Sequence, residues 1–313
     1  MATGTKESHF EEHIEKYLTR NIAPNFIEYQ VKDSSSYNKD LCIVSEDLID
    51  FIKDTQLDKY NALISEFGDK IDEKIAYYAS TALKNSKHKT LDYFRTKLKI
   101  RGQHFDPVYF KPTHGKSPEQ QIGYAANRLT LVRQLKYSKK NENSIDIVLF
   151  VNGFPIVTIE LKNALTGQYL QNAIQQYIQD RDPKEPLLEF KRCLVHFAVS
   201  TEQVSMCTEL KGKSTFFLPF NKSLINENED GYATSYLWED VLTKESILDL
   251  IQNYVNIQVD KEKYYDPQTK ALKEKEKIKL IFPRFHQRRA VKRLLSAIKE
   301  EGVGGKYLIQ HSA

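Results

Sequence analysis

Three ionisable side chains lie on either side of a strong turn signal in the middle of the sequence. Asn152-Gly153 separates two runs that are rich in β-branched and aromatic residues, which predicts two antiparallel strands joined by a hairpin. The first run contains Asp146, and the second contains Glu160 and Lys162, two residues apart. Because strand side chains alternate between faces, Glu160 and Lys162 share one face of the predicted sheet.

The register of the hairpin decides whether Asp146 joins this pair. With a two-residue turn that pairs Val151 with Phe154, Asp146 falls opposite Ile159 and faces away from Glu160. A three-residue loop, or an equivalent bulge, puts Asp146 directly opposite Glu160. We predict this second register, because the chemistry requires it. This register pairs Val151 with Pro155. It also pairs Ile147 with Ile159 and Leu149 with Val157, which makes one face of the hairpin wholly apolar.

Two neighbouring carboxylates repel and raise each other's pKa unless a cation lies between them. Mg²⁺ prefers carboxylate and carbonyl oxygens, so Asp146, Glu160 and the backbone carbonyl of Leu161 are candidate ligands. Lys162 can orient or deprotonate an attacking water and stabilise charge that develops on a phosphate. This combination suits hydrolysis of a phosphodiester. The alternative is an ordinary ion pair at an exposed strand end, but acids in otherwise apolar strands are costly without a partner.

The pattern around this hairpin predicts an α/β fold, an α/β/α core with a mixed central sheet. The helices and strands that we expect are a helix from residue 7, helices at 46–67 and 71–83, a strand at 128–137, a helix at 170–180, and strands at 192–200 and 203–210. His196, inside the buried strand at 192–200, is expected to be a hydrogen-bonded core residue. Residues 214–257 are expected to form a loop and a helical extension, with Trp238 filling core space.

The organisation changes near the C-terminal end. Between residues 261 and 299 there are thirteen Lys/Arg and four Asp/Glu, although the net charge of the whole chain is only +4. Lys and Glu alternate from residue 270 to 279, which is typical of a solvated connector. We therefore predict three parts: residues 1–257 as a domain with a helical extension, residues 258–280 as a charged connector, and residues 281–313 as the beginning of another domain.

Composition argues against several classes of protein. Of the 313 residues, 28% are charged and 40% hydrophobic, as in soluble globular proteins. No apolar run approaches the length needed to span a bilayer, about 20 residues. The first ten residues have no signal-peptide core. We expect a cytoplasmic protein with no membrane partner. Cys42, Cys193 and Cys207 are scattered, which predicts reduced core residues.

The hairpin resembles the core of PD-(D/E)xK nucleases, with Asp146, Glu160 and Lys162 as its signature residues. The longer sequence around it resembles the restriction (R) subunit of type I restriction-modification enzymes. This resemblance covers nearly the whole chain from about residue 10 and is strongest at residues 128–220 and 282–313. It implies a type I site-specific deoxyribonuclease, a Mg²⁺-dependent endonuclease that cleaves unmodified foreign double-stranded DNA after ATP-driven translocation.

The resemblance also implies further site residues. An acidic residue of the first helix approaches the metal in this family, and Glu11 best fits that place; the alternative is that it faces solvent. A Gln-x-x-x-Tyr motif follows the nuclease lysine on a helix. Here the tyrosine is Tyr177, but Ala173 stands four residues earlier, so the role of the neighbouring glutamines is open. We expect Tyr177, Gln176 and Arg181 to contact DNA.

Residues 282–287 resemble the segment that opens a helicase-type ATPase domain, with Gln287 reading adenine through paired hydrogen bonds. A loop and a strand are expected at residues 304–313, before the Gly-rich phosphate-binding loop of that family. Since no such loop follows in this sequence, we expect an N-terminal fragment that neither hydrolyses ATP nor translocates DNA. The expected partners are DNA and the methyltransferase and specificity subunits. Two alternatives remain: a repair or junction-resolving nuclease with the same core, and a catalytically inert DNA-binding or subunit-docking module.

Overall fold

The computed structural model describes residues 7–23, 26–112, 117–164, 167–223, 226, 231–302 and 304–310. Its strands are β1 (Asn21–Ala23), β2 (Phe26–Ile27), β3 (Gln30–Lys32), β4 (Leu98–Ile100), β5 (Gln103–Phe105), β6 (Leu129–Lys136), β7 (Ser144–Val151), β8 (Phe154–Lys162), β9 (Val195–Ser200), β10 (Val204–Cys207), β11 (Leu218–Pro219), β12 (Asn256–Asp266) and β13 (Ala271–Ile281). Its helices are α1 (Glu7–Leu18), α2 (Ser45–Phe67), α3 (Ile71–Asn85), α4 (Thr90–Arg95), α5 (Pro118–Ala126), α6 (Leu170–Gln179), α7 (Lys244–Asp249) and α8 (Phe285–Glu301).

A seven-stranded mixed sheet lies at the centre, in the order β11-β10-β9-β8-β7-β6-β3. Two neighbouring pairs, β3 with β6 and β8 with β9, are parallel, and the others are antiparallel. The parallel pairing of β8 and β9 requires a crossover connection, and α6 lies within that connection. The predicted α/β fold with a mixed central sheet and flanking helices is confirmed.

The sheet is buried on both faces. All nine residues of β8 are buried, as expected for a strand covered on both sides. One face, which includes Ile147, Leu149 and Ile159, packs in a large core with α1, α2 and α3. The other face, which includes Val148 and Phe150, packs in a second core with α6. Ile159 and Leu161 of β8 point into the large core, whereas Thr158 points to Tyr177 of α6. Glu160, two residues after Thr158, belongs to the face that α6 covers.

The hairpin between β7 and β8 has a two-residue turn followed by a bulge. Val151 pairs with Phe154, so the predicted pairing of Val151 with Pro155 is wrong. The register then shifts beyond Phe150, so that Leu149 pairs with Val157 and Ile147 with Ile159. The predicted bulge and the apolar face are thus confirmed. The turn stays short because Asn152 and Gly153 both adopt positive φ, at 47° and 85°, which two-residue turns favour.

The charged segment at residues 258–280 is exposed, as predicted, but it forms most of an antiparallel hairpin of β12 and β13. The alternation of Lys and Glu has a period of two, which suits strands with both faces in solvent. Opposite charges lie across the pair: Lys279 contacts Asp260 at 2.9 Å and Lys277 contacts Glu262 at 3.7 Å. The segment is therefore a folded arm, a structure that the sequence did not predict.

The first residues after this arm pack against the main body. Phe282 and Phe285 belong to the large core, and Arg288 donates to Asp240 at 2.7 Å and to Ser246 at 2.7 Å. Residues 305–310 form no strand, which differs from the expectation for residues 304–313; a strand needs a pairing partner, and no described strand pairs with them. Residues 311–313 lie outside the described part of the chain.

Other expectations for the core hold. Trp238 is fully buried, and Cys42, Cys193 and Cys207 are buried free thiols. The predicted helical extension contains α7 and two short helical segments, Leu237–Val241 and Leu250–Tyr254. Across the described ranges, none of the helices combines the length and the apolar character needed to cross a membrane.

Candidate functional site

The predicted site residues meet at one end of the central sheet. Asp146 lies near the start of β7, and Glu160 and Lys162 lie at the end of β8. All three side chains are largely buried: Asp146 is 5% exposed, Glu160 is fully buried and Lys162 is 9% exposed. The register that pairs Ile147 with Ile159 continues toward Asp146 and Glu160, so the bulge brings both acids to the same face.

Asp146 is fixed by the backbone of the neighbouring strand. The Leu161 N–H donates to Asp146 Oδ2 at 2.7 Å. The N–H and C=O of one strand residue point toward the same neighbouring strand, so the Leu161 carbonyl also faces β7. Asp146 therefore lies beside the edge of β8 that carries the Leu161 carbonyl, the predicted metal ligand.

The first helix adds two more acids to this end of the sheet. Carboxylate oxygens of Glu7, Glu11 and Asp146 lie within 4.8 Å of one another. Glu11 is 4% exposed, so it faces the protein and not solvent, in the place expected for the acidic residue of the first helix. Glu7 accepts a hydrogen bond from Lys162 Nζ at 2.9 Å. Residues four apart share a helix face, and this spacing carries both glutamates to the site.

Glu160 has a buried countercharge. Arg181 Nε donates to Glu160 Oε1 at 2.6 Å, and a second guanidinium nitrogen donates to the Ser144 carbonyl at 2.7 Å. Arg181 is 6% exposed. Sequence reasoning placed Arg181 among the DNA-contacting residues, but here its guanidinium is directed inward. Glu160 Oε2 is buried and receives no hydrogen bond from any described residue.

The surroundings disfavour charge on two of the acids. Burial, and then the nearby Asp146 carboxylate, raise the pKa of Glu160 well above its ordinary value, although Arg181 opposes the shift. Burial and Asp146 also raise the pKa of Glu11, against hydrogen bonds from Arg133 and Gln134. Carboxyl groups whose pKa values are raised by burial and by a shared carboxylate neighbour are typical of sites that bind cations or transfer protons.

Two residues of β6 hold these acids, and sequence reasoning missed both. Arg133 Nε donates to Glu11 Oε2 at 3.1 Å. Gln134 Nε2 donates to Glu11 Oε1 at 2.8 Å and to Asp146 Oδ1 at 3.1 Å. Gln134 interrupts the pairing of β6 with β7 and has a φ of 47°. No sequence pattern in this strand predicts this conformation. Glu7 was also missed, although its spacing from Glu11 was a usable signal.

Tyr177 does not reach the surface. It is fully buried in the second core, and its hydroxyl lies 2.8 Å from Thr158 Oγ1, which is 2.7 Å from His196 Nδ1. Direct contact of Tyr177 with DNA, as expected from the sequence, is therefore not possible in this structure. His196 is hydrogen-bonded in the core, as predicted, and burial lowers its pKa to about 3. Gln176, on the same helix, is half-buried.

Gln287 serves as a helix cap. Its side-chain oxygen accepts a hydrogen bond from the Arg284 N–H at 2.9 Å at the start of α8, and the residue is exposed. The cap satisfies one of the free backbone donors at a helix N-terminus. Its expected contact with adenine stays a prediction.

The arrangement as a whole collects carboxylate oxygens and one amine at a buried strand end, with Arg133 and Gln134 at its mouth. It can bind a hard divalent cation and present an ammonium group beside it. No curated protein matches the chain. The family model of the type I restriction enzyme R protein N terminus matches residues 36–215. This match covers more than half of the chain and includes Asp146, Glu160 and Lys162, so the chain belongs to the family of type I restriction enzyme R protein N termini.

Proposed function

We propose that the chain carries the Mg²⁺-dependent DNA endonuclease of a type I restriction enzyme R subunit. It cleaves phosphodiester bonds of unmodified foreign DNA after ATP-driven translocation. The observation that carries the proposal is the group of carboxylates from Glu7, Glu11 and Asp146 at one end of the sheet, with Lys162 bonded to Glu7 and Glu160 next to Asp146. Membership of the family supports a role in restriction.

The residues at the site fit a magnesium ion. All the candidate ligand atoms are oxygens, which Mg²⁺ prefers. Within the described part of the chain, Glu160 Oε2 is a buried carboxylate oxygen that receives no hydrogen bond. Asp146, Glu160 and the Leu161 carbonyl would hold the ion, and Glu11 would complete the set. Bound Mg²⁺ supplies positive charge that offsets the acids and the phosphate.

The chain's own side chains position the reactants. Lys162 donates a hydrogen bond to a phosphate oxygen and stabilises the charge that develops there, or it orients the attacking water. It exchanges its contact with Glu7 for this role. Arg181 binds Glu160 through its Oε1 atom. Thr158 and Tyr177 form the buried layer next to Glu160. Gln176 is the remaining candidate for direct contact with the DNA backbone, from the outer surface of α6.

The rest of the subunit assignment is proposed with this site. Residues 1–257 form the endonuclease with its helical extension, residues 258–280 form the charged arm, and residues 281–313 begin a helicase-type ATPase in which Gln287 reads adenine. The partners are double-stranded DNA and the methyltransferase and specificity subunits, in the cytoplasm. Lys162 acts in cleavage alone, whereas Glu160 also neutralises the buried guanidinium of Arg181.

DNA cleavage by the assembled restriction enzyme that contains this chain tests the proposal. Asp146→Asn and Lys162→Met should each abolish cleavage of plasmid DNA with Mg²⁺ and ATP, while ATP hydrolysis and subunit assembly persist. Glu245→Gln and Lys111→Met are matched controls, because this pair forms an exposed contact at 2.6 Å; both should cleave normally. Full cleavage by either site variant would contradict the proposal, and an inert wild type with normal assembly would favour a docking module.

A further inference from the structure

Gln134 occupies an unusual position between solvent and the acids. Its φ of 47° puts it in the left-handed region, which non-glycine residues rarely adopt and which concentrates at functional sites. The pairs on either side of it, Arg133 with Ile147 and Leu135 with Ile145, are formed. Gln134 is thus a local irregularity in an otherwise regular ladder, and it lies next to Asp146 across the strands.

The irregularity aims the side-chain amide at the site. One nitrogen, Nε2, lies 2.8 Å from Glu11 Oε1 and 3.1 Å from Asp146 Oδ1. A partly positive NH₂ group therefore stands between two carboxylates, where a cation would contact both. Gln134 is exposed, whereas Glu11 and Asp146 are buried. A cation that enters from solvent meets this amide first.

The oxygen atom of the Gln134 amide contacts a hydroxyl group that can either donate or accept a hydrogen bond. Ser144 Oγ donates to Gln134 Oε1 at 2.7 Å. A serine hydroxyl can donate or accept, and an amide presents a donor on one side and an acceptor on the other. A rotation of the amide by half a turn would direct Oε1 to the acids and Nε2 to Ser144. All the polar contacts would then persist, with a cation in place of the two N–H bonds.

We propose that Gln134 is a metal ligand of the nuclease site, through an amide that rotates when the cation binds. Before binding, the NH₂ group bridges Glu11 and Asp146 and reduces their repulsion. After binding, Oε1 joins the carboxylates around the ion, since glutamine carbonyls are suitable ligands for hard cations, and Ser144 accepts from Nε2. The inference rests on the proposed function, because it concerns the same cation.

Calorimetric titration with Mg²⁺ and with Mn²⁺ tests the role of the oxygen. Gln134→Met keeps the side-chain length and removes both polar atoms, so the affinity should fall by about 10-fold or more. Gln134→Glu keeps an oxygen and removes the NH₂ group, so it should bind at least as tightly as wild type. Gln179→Met is the matched control, an exposed glutamine that bonds only Gln175 among the contacts described, and its affinity should be unchanged.

The outcomes separate the alternatives. Tighter binding by Gln134→Met would overturn the inference, because the amide would then only block the cation. Equal losses in Gln134→Met and Gln134→Glu would overturn it too, because the N–H groups would be what matters. An unchanged affinity in Gln134→Met, with binding lost in Asp146→Asn, would reject the inference alone. Absence of binding in wild type would reject the proposed function.

A spectroscopic readout follows the rotation itself. In the wild type, the side-chain ¹⁵N and ¹H amide resonances of Gln134 should shift on addition of Mg²⁺, because their acceptor changes from carboxylates to the Ser144 hydroxyl. Resonances of Gln134 that stay in place while the cation binds would contradict the rotation.

Discussion

Removal of one partner of the buried ion pair between Arg181 and Glu160 should strongly destabilise the fold. Its two side chains are 5% and 0% exposed and are joined at 2.6 Å. Arg181→Met leaves the Glu160 carboxyl buried without a countercharge, which costs about 3–5 kcal/mol. The lost hydrogen bond to the Ser144 carbonyl adds about 1 kcal/mol. Against a typical free energy of unfolding of about 5–15 kcal/mol, the loss of about 4 kcal/mol or more is large.

Urea denaturation, followed by circular dichroism without metal, measures this loss. The double variant Arg181→Met/Glu160→Gln should recover part of it, with a coupling energy of about 2 kcal/mol or more, because both charges are removed together. Arg101 and Glu66 form the control pair, joined through the same atoms at 2.7 Å but with side chains 57% and 45% exposed. Arg101→Met should cost less than about 1 kcal/mol. Equal costs at the two arginines would refute the reasoning.

Three further predictions concern the acids, the turn and the C-terminal residues. Burial raises the pKa of Glu11 above its ordinary value of 4.5, so its ionisation destabilises the metal-free protein as the pH rises from 4.5 through that raised pKa. Glu11→Gln should therefore gain melting temperature relative to wild type as the pH rises over this range, and a difference that does not change with pH would contradict this. A Cβ at Gly153 would lie 2.4 Å from a backbone oxygen, whereas a Cβ at Gly212 would meet no described atom within 4 Å. Chemical denaturation should therefore give a loss of stability of about 2 kcal/mol or more for Gly153→Ala and a smaller loss for Gly212→Ala. Equal losses would count against the close approach at the turn. Phe285→Ala should cost about 3–5 kcal/mol in the same assay, because Phe285 is 6% exposed in the large core. Leu295→Ala, at 51% exposure, should cost much less; a small loss at Phe285 would indicate that this end of the chain does not share the core.

The sequence was sufficient for the elements with strong local signals. The period-two pattern and Asn152-Gly153 located the central hairpin, and the requirement that Asp146 face Glu160 predicted its bulge, although the bulge lies after the turn and not within it. The alternation of Lys and Glu at residues 270–279 was equally visible. Its polarity suggested a connector, because the strand forms only by pairing with the preceding segment at residues 256–266.

The parts of the site that could not be predicted depend on three-dimensional contacts. Nothing in the sequence near Arg181 indicates that its guanidinium turns inward to Glu160, because that direction follows from the end of α6 lying over the sheet. The burial of Tyr177 has the same cause. Gln134 is an ordinary polar residue in an alternating strand, and its positive φ arises from the irregular pairing with β7.

The location of a bound cation tests the central claim most directly. Crystals of the chain soaked with Mn²⁺ should give an anomalous difference peak at coordination distance, about 2.0–2.4 Å, from a carboxylate oxygen of Asp146 and from one of Glu160 or Glu11. The same soak of Asp146→Asn crystals should give no peak at this position. Saturating Mn²⁺ that leaves Asp146 without a peak, while Mn²⁺ binds elsewhere, would contradict a metal-dependent site at this end of the sheet.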